Sequence, residues 1–260
     1  EIIECNAMFS KVLEFNCQEV IGSSVFVFHD ESCKELLAGS VATLNEDDAI
    51  FDLELGLISK SGEFISVSLR TTPLVDSDRN IAIFVWRDIR RQKQLAHDAI
   101  HDPLTGLLNR AGFMEKFDKP FRRREAKMLC YFDVDNFKTL NDRFGHLSGD
   151  KFLIELSQLM RASLQDEVLG RLGGDEFVVM LCHSNLAIVE GAMESLNQKI
   201  NQLVSANEIY SKSKLSVSIG ITSYTSDEQR KVVLQRADNA CYKSKRTGKN
   251  KVTTYEVQVA

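Results

Sequence analysis

The chain has 260 residues, of which 43% are hydrophobic and 27% charged, and its formal net charge is −5 at pH 7. This composition is typical of one large or two ordinary globular domains and excludes collagen-like and intrinsically disordered chains. The acidic balance disfavours a nucleic-acid polymer as partner, because proteins that bind such polymers usually carry an excess of Lys and Arg.

No apolar run approaches the length of a transmembrane helix, and the start lacks the basic head and cleavage site of a signal peptide. The six cysteines are scattered, which favours reduced core residues over a metal or disulfide site. We therefore expect a cytoplasmic chain with no membrane segment of its own. Its abrupt start also allows it to be the cytoplasmic part of a longer, membrane-anchored protein.

The first predicted domain covers residues 1–89 and begins with short helical stretches. Three strand-like segments follow, joined by two polar turns of the kind that close hairpins. Consecutive hairpin-connected strands form an antiparallel sheet, so we predict a small α+β domain. The strand-like segments are 51–59, 64–75 and 81–89.

Residues 90–101 are predicted to form a connector between two domains. Within them, "RRQKQLAHDAI" (90–100) is polar with apolar residues at helical spacing, which predicts an amphipathic helix. A plain connector helix and a coiled-coil pairing of two copies both fit this pattern, and the segment is too short to decide between them.

The second predicted domain, residues 102–260, alternates between strand and helix patterns. The order is β-α-β-β-α-β with additional elements, which is the ferredoxin-like plan shared with the palm of nucleotidyl-transferring enzymes. The main segments are a strand at 127–135, a helix at 148–164, a hairpin at 167–181, a helix at 185–204, a strand at 215–224, a helix at 231–249 and a strand at 250–256.

Two acidic clusters lie at the ends of strands in this domain. The hairpin "RLGGDEF" (171–177) carries Asp175 and Glu176 at its tip, and "DVD" (133–135) closes an apolar strand. In the ferredoxin-like plan this strand lies next to the hairpin, so Asp133 and Asp175 are expected to converge. Converging carboxylates need a cation, and hard oxygen ligands suit Mg²⁺.

Several nearby residues are suited to a nucleotide. The glycines Gly173 and Gly174 permit positive φ and let a phosphate chain approach the backbone. Lys138, just past the strand end, is placed to meet phosphate. Asn141 and Asp150 are suited to reading a guanine base, because a carboxylate accepts hydrogen bonds from its N1–H and N2–H groups.

Two further cations are predicted on the last helix, where Lys245 and Lys249 lie four residues apart and would face phosphate together. Each of these features has an ordinary structural alternative. An acidic pair at a strand end is often a turn or a helix cap, and two lysines often belong to a solvated face. Only their joint occurrence in this order favours a site.

Together these motifs resemble the GGDEF family of diguanylate cyclases, over roughly residues 100–257. The family condenses two GTP into cyclic di-GMP, a bacterial second messenger, at the interface of two domains. The resemblance therefore implies a homodimer and GTP as substrate. The motifs that carry it are "DPLTGLLNR", "FDVDNFKTLNDRFGHLSGD", "RLGGDEF", "SIGIT" and "ADNACYKSKRTGKNKV".

The resemblance also implies roles for individual residues. Asp133 and Asp175 correspond to the ligands of Mg²⁺ (or Mn²⁺), with the carbonyl of Val134 as a further ligand. Asp175 would also help to deprotonate the ribose 3′-OH, and Lys138 would stabilise charge on the phosphates. Glu176 is expected to support the hairpin.

The substrate-binding residues carried over are Asn141, His146, Asp150, Lys245, Lys249, Gly173 and Gly174. Lys249 is usually an Arg in the family, so its grip on phosphate is expected to be looser. Many members also have an Arg-x-x-Asp sequence where product binds and inhibits. Here the matching stretch is "LQDE" (164–167), and we expect no product-inhibition site.

Residues 1–89 resemble PAS sensor domains through "NAMF" (6–9), "VIG" (20–22), "KSGE" (60–63) and the closing "RDIRRQK" (87–93). The usual opening strand is not recognised. No cofactor pattern is visible, so the PAS ligand stays unknown. His29, Cys17 and Cys33 are interpreted as packing or surface residues and not as haem or metal ligands.

The resulting hypothesis is a diguanylate cyclase regulated by a PAS domain. The alternative is a catalytically idle nucleotide-binding scaffold that keeps the fold and signals by contacts. A third reading treats the PAS domain as a ligand receptor with an idle output domain. Idle relatives usually lose a signature acid, whereas Asp133 and Asp175 are both present here, which favours the enzyme.

Overall fold

The structure is a computed structural model that describes residues 1–42, 52–76, 79–118, 127–183 and 185–255. The chain divides into two compact units, Glu1–Ala96 and His97–Ala260. The division falls inside the predicted connector. Phe51 of the first predicted strand, residues 77–78 of the second turn and the last residue of the final predicted strand lie outside the described residues.

The first unit is an antiparallel sheet preceded by short helices, as predicted. The strands pair in the order β1-β2-β3, with Leu55 opposite Val67 between the first two. A 3₁₀ turn at Val25–Phe28 separates the second and third helices. The elements are α1 (Ala7–Leu13), α2 (Cys17–Val20), α3 (Glu31–Ala42), β1 (Asp52–Ile58), β2 (Phe64–Asp76) and β3 (Arg79–Asp88).

The core of this unit lies on one face of the sheet. Ile65, Val67 and Leu69 alternate along β2 with more exposed residues, so the strand buries one face only. His29 is 3% exposed within this core, and its Nδ1 lies 3.0 Å from the carbonyl oxygen of Gly56. Burial lowers the pKa of His29, so this imidazole packs as a neutral side chain.

Helix α4 (Arg90–Ile100) has the bounds that the sequence predicted for the amphipathic segment. None of its residues is buried within the chain. Its first turn is joined to the first unit by ion pairs from Arg90 to Glu63, in the turn before β2 (2.5 Å), and from Lys93 to Glu54 on β1 (2.8 Å). Pairing of this helix between two copies stays a prediction.

The second unit has the predicted ferredoxin-like plan. Its sheet has the order β5-β6-β4-β7-β8, in which β4 pairs antiparallel with both β6 and β7, and the short β8 is parallel to β7. The elements are α5 (Arg110–Asp118), β4 (Lys127–Asp135), α6 (Phe137–Phe144), α7 (His146–Ser163), β5 (Val168–Gly173), β6 (Glu176–Leu181), α8 (Leu186–Ala206), α9 (Glu208–Lys212), β7 (Ser216–Tyr224), α10 (Arg230–Arg246) and β8 (Val252–Thr254).

This sheet is covered on both faces. One face packs Phe132 and Ile219 against α7 and α8, and the other packs Leu129 and Tyr131 against α5 and α10. Burial on both faces explains why β4 is continuously apolar instead of alternating. At the acidic end of β4, Asp133 is half-buried, whereas Val134 and Asp135 are buried.

The last helix is shorter than predicted. It ends at Arg246, followed by Thr247 and by Gly248 at φ +120°. A glycine in this region is a common helix terminator, because other residues rarely adopt such a backbone. Among the described parts of the chain, no helix has both the length and the apolar character needed to span a bilayer.

The contact between β7 and α10 gives a stability prediction. A Cβ at Gly220 would lie 2.1 Å from the carbonyl oxygen of Ala237 and 2.2 Å from the amide nitrogen of Cys241. We expect Gly220→Ala to lower the free energy of unfolding by about 2–3 kcal/mol, because backbone of the helix must move. Urea denaturation measures this loss.

The matched control is Gly191→Ala on α8, where an added Cβ would meet nothing within 4 Å. Alanine in a helix interior is expected to raise the free energy of unfolding by about 0.5–1 kcal/mol. Equal stabilities of the Gly220→Ala variant and the wild type would contradict the close approach of β7 and α10.

Candidate active site

The two acidic strand ends come together, as the topology predicted. Asp133 near the end of β4 lies opposite Glu176, the first residue of β6. The Val134 amide donates a hydrogen bond to the Asp175 carbonyl, with a nitrogen-to-oxygen distance of 3.2 Å. This bond ties the hairpin tip to β4, so three carboxylates share one end of the sheet.

Lys245 on α10 is the cation that faces these acids. Its Nζ lies 2.5 Å from Oδ1 of Asp133. Burial raises the pKa of Asp133 to about 6, and the charges of Asp175 and Glu176 add to this, while Lys245 opposes it. Burial lowers the pKa of Lys245, but its ion pair with Asp133 more than offsets this and holds that pKa above its usual value. One ammonium group therefore only partly compensates the cluster.

The other two acids differ in their surroundings. Burial raises the pKa of Asp175, and the neighbouring charge of Glu176 acts in the same direction. Glu176 raises the pKa of the Tyr131 hydroxyl, although burial is the larger cause. Glu176 also pairs with Gly173 across the hairpin, and its role in supporting the hairpin stays a prediction.

The tip of the hairpin is open. Gly173 and Gly174 have φ values of +153° and +51°, and a Cβ added to either would meet nothing within 4 Å. Positive φ explains the need for glycine at Gly174, and the free space leaves room for a ligand against the backbone. Asp175 borders this space.

The remaining acid of the "DVD" motif is structural. Asp135 is 2% exposed and accepts hydrogen bonds from the hydroxyls of Ser216 (2.7 Å) and Ser218 (3.0 Å) and from the amide of Asn250 (3.3 Å). Its oxygens are thus occupied within the fold, which leaves Asp133 as the carboxylate of this strand for a ligand.

Sequence reasoning missed an arginine that holds the hairpin. Arg171 donates to both carboxylate oxygens of Asp102, at 2.9 and 3.1 Å, and to the carbonyl oxygen of Gly174, at 2.7 and 3.0 Å. Asp102 also accepts from the amide and the hydroxyl of Thr105. Burial raises the pKa of Asp102, but these bonds together hold it below its usual range. The "DPLT" stretch, whose role the sequence left unassigned, is therefore an anchor for the acidic hairpin.

Four of the predicted site residues lie on α6 and α7. Lys138 and His146 are exposed, and Asp150 is half-buried. Oδ1 of Asn141 is buried and accepts no hydrogen bond from the described residues. The Asn141 side chain packs directly against the backbone of Gly149, where an added Cβ would lie 2.0 Å from that oxygen. An unsatisfied buried acceptor suits a donor brought by a ligand.

The predicted placement of Lys249 is wrong. It lies beyond the end of α10, so it does not share a helix face with Lys245. Its Nζ contacts Oδ1 of Asn136 at 2.8 Å, beside the start of α6. The helical spacing of the two lysines was misleading because Gly248 interrupts the helix between them.

The stretch that replaces the product-binding motif borders a cleft of about 400 Å³. Leu164 stands where an Arg would be expected, and Oε2 of Glu167 accepts a hydrogen bond from the Cys182 amide. Arg161 also lines this cleft, and one of its Nη atoms donates to the Thr105 carbonyl at 3.4 Å.

The donor set at the hairpin fits a hard divalent cation. Asp133, Asp175 and the nearby Val134 backbone offer oxygen atoms, and the pKa of both carboxyl groups is raised chiefly by burial, with a smaller contribution from the neighbouring carboxylates. Within the described residues no group of three or more His, Cys, Asp or Glu side chains is arranged to hold a metal by itself. A cation here would thus need backbone and ligand oxygens as well.

Comparison with known proteins agrees with this geometry. The sequence profile described as "Diguanylate cyclase, GGDEF domain" matches residues 99–251, and that of a PAS domain matches residues 1–91. The chain belongs to the GGDEF family. It carries an N-terminal PAS domain, and proteins of this family that are diguanylate cyclases generally depend on a divalent metal.

Curated relatives in the GGDEF family support the same assignment. The diguanylate cyclase DgcP of Pseudomonas aeruginosa is 28% identical over 246 residues, which is 86% of this chain. A diguanylate cyclase of Vibrio cholerae is 28% identical over 277 aligned positions, covering 98% of this chain and 83% of the relative. The chain spans only 36% of the length of DgcP.

Among solved structures, the coiled coil and GGDEF domain of DgcB from Caulobacter crescentus, in complex with c-di-GMP, has a TM-score of 0.56. It is 28% identical, and the match covers 63% of this chain and 90% of that one. The GGDEF fold of the second unit is thus shared with a protein that binds this dinucleotide.

The Arg171 contacts give a prediction about the hairpin of the GGDEF domain. In Arg171→Lys, one ammonium cannot reproduce the bidentate bond to Asp102 together with the bonds to the Gly174 carbonyl. We expect hydrogen exchange at the amides of residues 174–176 to become about 10- to 100-fold faster, measured by mass spectrometry or NMR.

The control for this measurement is Arg143→Lys on α6, where the guanidinium donates to a single carbonyl, that of Lys212, at 3.2 Å. Exchange at the hairpin should match the wild type in this variant. Unchanged exchange in Arg171→Lys would show that Arg171 does not hold the hairpin.

Proposed function

We propose that the GGDEF domain is a working diguanylate cyclase that condenses two GTP into cyclic di-GMP and two pyrophosphates. The observation that carries this proposal is the convergence of Asp133 and Asp175 beside an open Gly-Gly tip, with Lys245 as the facing cation. The family and the names of the relatives support the same activity.

The reaction joins two nucleotides through two phosphodiester bonds. The 3′-OH of each GTP attacks the α-phosphorus of the other, the bond to the β-phosphate oxygen breaks, and pyrophosphate leaves. One hairpin serves one GTP, so two copies of the domain must face each other, and a homodimer is required. Holding both nucleotides in this arrangement supplies much of the rate enhancement.

Within each domain the residues divide the work. Asp133 and Asp175, with the Val134 carbonyl, would hold Mg²⁺ or Mn²⁺, which supplies positive charge at the phosphates and lowers the pKa of the attacking hydroxyl. Asp175 would take up the hydroxyl proton. Lys138 and Lys245 would stabilise charge on the phosphate oxygens.

Substrate selection is assigned to the α6–α7 pair of helices. Asn141, with its unsatisfied buried oxygen, and Asp150 would accept hydrogen bonds from guanine. Adenine lacks the N1–H and N2–H donors, so GTP is the preferred substrate. His146 is the first residue of α7 and would contact the nucleotide. Lys249 would bind the phosphates from the loop after α10.

The PAS domain would regulate the cyclase, with the α4 helix joining the two domains in sequence. A ligand or partner sensed by the PAS domain would change the fraction of chains paired for catalysis. The idle-scaffold alternative is disfavoured because the acids, Lys138 and Asn141 are all retained.

Activity is tested by incubating the chain with GTP and Mg²⁺ and separating products by chromatography. We expect Asp175→Asn to lower cyclic di-GMP formation at least about 100-fold, because it removes a metal ligand and the proton acceptor. With GTP and ATP present together, the product should contain guanine only.

The matched control is Glu208→Gln, which removes an exposed carboxylate on α9 and should leave the rate unchanged. Product formed equally by Asp175→Asn and wild type would refute the assigned role of Asp175. If the wild type forms no product even when fused to a dimerising segment, the idle scaffold is correct.

Product inhibition is predicted to be absent, because Leu164 cannot bind a phosphate or a guanine edge as an Arg does. Added cyclic di-GMP should leave the initial rate unchanged, and calorimetry should detect no tight binding. Tight binding that is lost on changing Asp166 or Glu167 would contradict this expectation.

A further inference from the structure

Two cysteines of the PAS unit lie against the same hydroxyl group. Oγ of Ser10 on α1 is 2.8 Å from Sγ of Cys17 and 3.9 Å from Sγ of Cys5. Cys17 is the first residue of α2, and Cys5 precedes α1. The fold therefore brings together two thiols that are 12 residues apart in the sequence.

The side chain of Cys17 also lies close to the backbone of Cys5. Sγ of Cys17 also lies 3.8 Å from the carbonyl oxygen of Cys5 and 3.9 Å from that of Asn6. The sulfur of Cys17 therefore lies beside the backbone of Cys5, and both sulfurs face the hydroxyl of Ser10. Both side chains are half-buried, so a small oxidant can reach them.

The other cysteines have different surroundings. Cys130 and Cys241 are buried, and burial raises the pKa of both thiols, which keeps them protonated and unreactive. Cys33 is buried, and its sulfur accepts a hydrogen bond from the amide of Gly56. Cys182 is exposed on the GGDEF unit.

We propose that Cys5 and Cys17 form an oxidisable dithiol pair, which a hydroperoxide such as hydrogen peroxide converts into a disulfide. Cys17 is the thiol that reacts first, and Cys5 is the thiol that resolves the product. This modification site lies in the PAS domain, outside the residues assigned to GTP condensation.

The order of reaction follows from the contacts. Hydrogen bonds from Ser10 and Cys5 hold the pKa of Cys17 below its usual value, whereas burial and the interaction with Cys17 raise the pKa of Cys5. A lower pKa places more thiolate at Cys17, and thiolate is the form that attacks peroxide. Cys5 remains a thiol, ready for the second step.

The chemistry balances in two steps. The Cys17 thiolate attacks one peroxide oxygen, the O–O bond breaks, and Cys17 becomes a sulfenic acid while the other oxygen leaves as water after taking a proton. The Cys5 sulfur then attacks the Cys17 sulfur, the S–O bond breaks, and a second water leaves. Two thiols are oxidised to one disulfide, and one peroxide is reduced to two waters.

The test uses the full chain treated with a small molar excess of hydrogen peroxide, followed by alkylation and tryptic peptide mapping without reductant. Cleavage after Lys11 separates Cys5 from Cys17, so the bridge joins two peptides that are otherwise apart. We expect this joined pair to appear with peroxide and to vanish after dithiothreitol. If peroxide has oxidised the exposed Cys182 and the joined pair of peptides is still not detected, the proposal is overturned.

Two serine variants assign the roles. Cys5→Ser should trap sulfenic acid at Cys17, detected as a dimedone adduct, because no resolving thiol remains. Cys17→Ser should lose both the adduct and the bridge, which also excludes Cys33 as the sulfur on the second peptide. The control Cys182→Ser should form the bridge as the wild type does. A bridge that persists in Cys17→Ser would contradict the pairing.

Discussion

Crowding of negative charge at the end of β4 is the constraint on which the rest of the GGDEF domain depends. The side chain of Asp133 is 15% exposed, lies opposite Glu176 and close to Asp175, and has a single ammonium group at Lys245 as its ion-pair partner. The sheet buries this carboxylate on a strand covered by helices on both faces, which raises its pKa. Such an arrangement costs stability unless a cation arrives, and this is the physical basis of the proposed metal site.

The surrounding structure serves to hold this cluster in place. The bond from the Val134 amide to the Asp175 carbonyl sets the distance between the two strand ends, and the guanidinium of Arg171 fixes the tip from the other side through Asp102. Asp135, two residues from Asp133, is satisfied by serine hydroxyls and anchors the strand. Asp133 thus has one ion-pair partner in a crowd of carboxylates, whereas the oxygens of Asp135 are occupied by hydrogen bonds within the fold.

Local pattern and topology were enough to predict much of this. The apolar run of β4, the Gly-Gly turn and the ferredoxin-like order placed Asp133 beside Asp175. The bond between Arg171 and Asp102 was not predictable, because the two residues are 69 positions apart and each looks ordinary in its own segment. The resemblance already singled out Asp133, and the structure adds the physical reason, since hydroxyls of β7 occupy the oxygens of Asp135. The prediction that Lys249 lies on the last helix was wrong, although the preceding Gly248 is a residue type that commonly ends helices.

The most direct test of this account is the binding of Mn²⁺, followed by electron paramagnetic resonance, in the presence of a non-hydrolysable GTP analogue. The account predicts that the wild type binds Mn²⁺ together with the nucleotide and that Asp133→Asn lowers this affinity by at least about tenfold, since a charged oxygen ligand is lost. Equal Mn²⁺ affinity in the two proteins would contradict the claim that this carboxylate is kept charged and crowded in order to hold a cation.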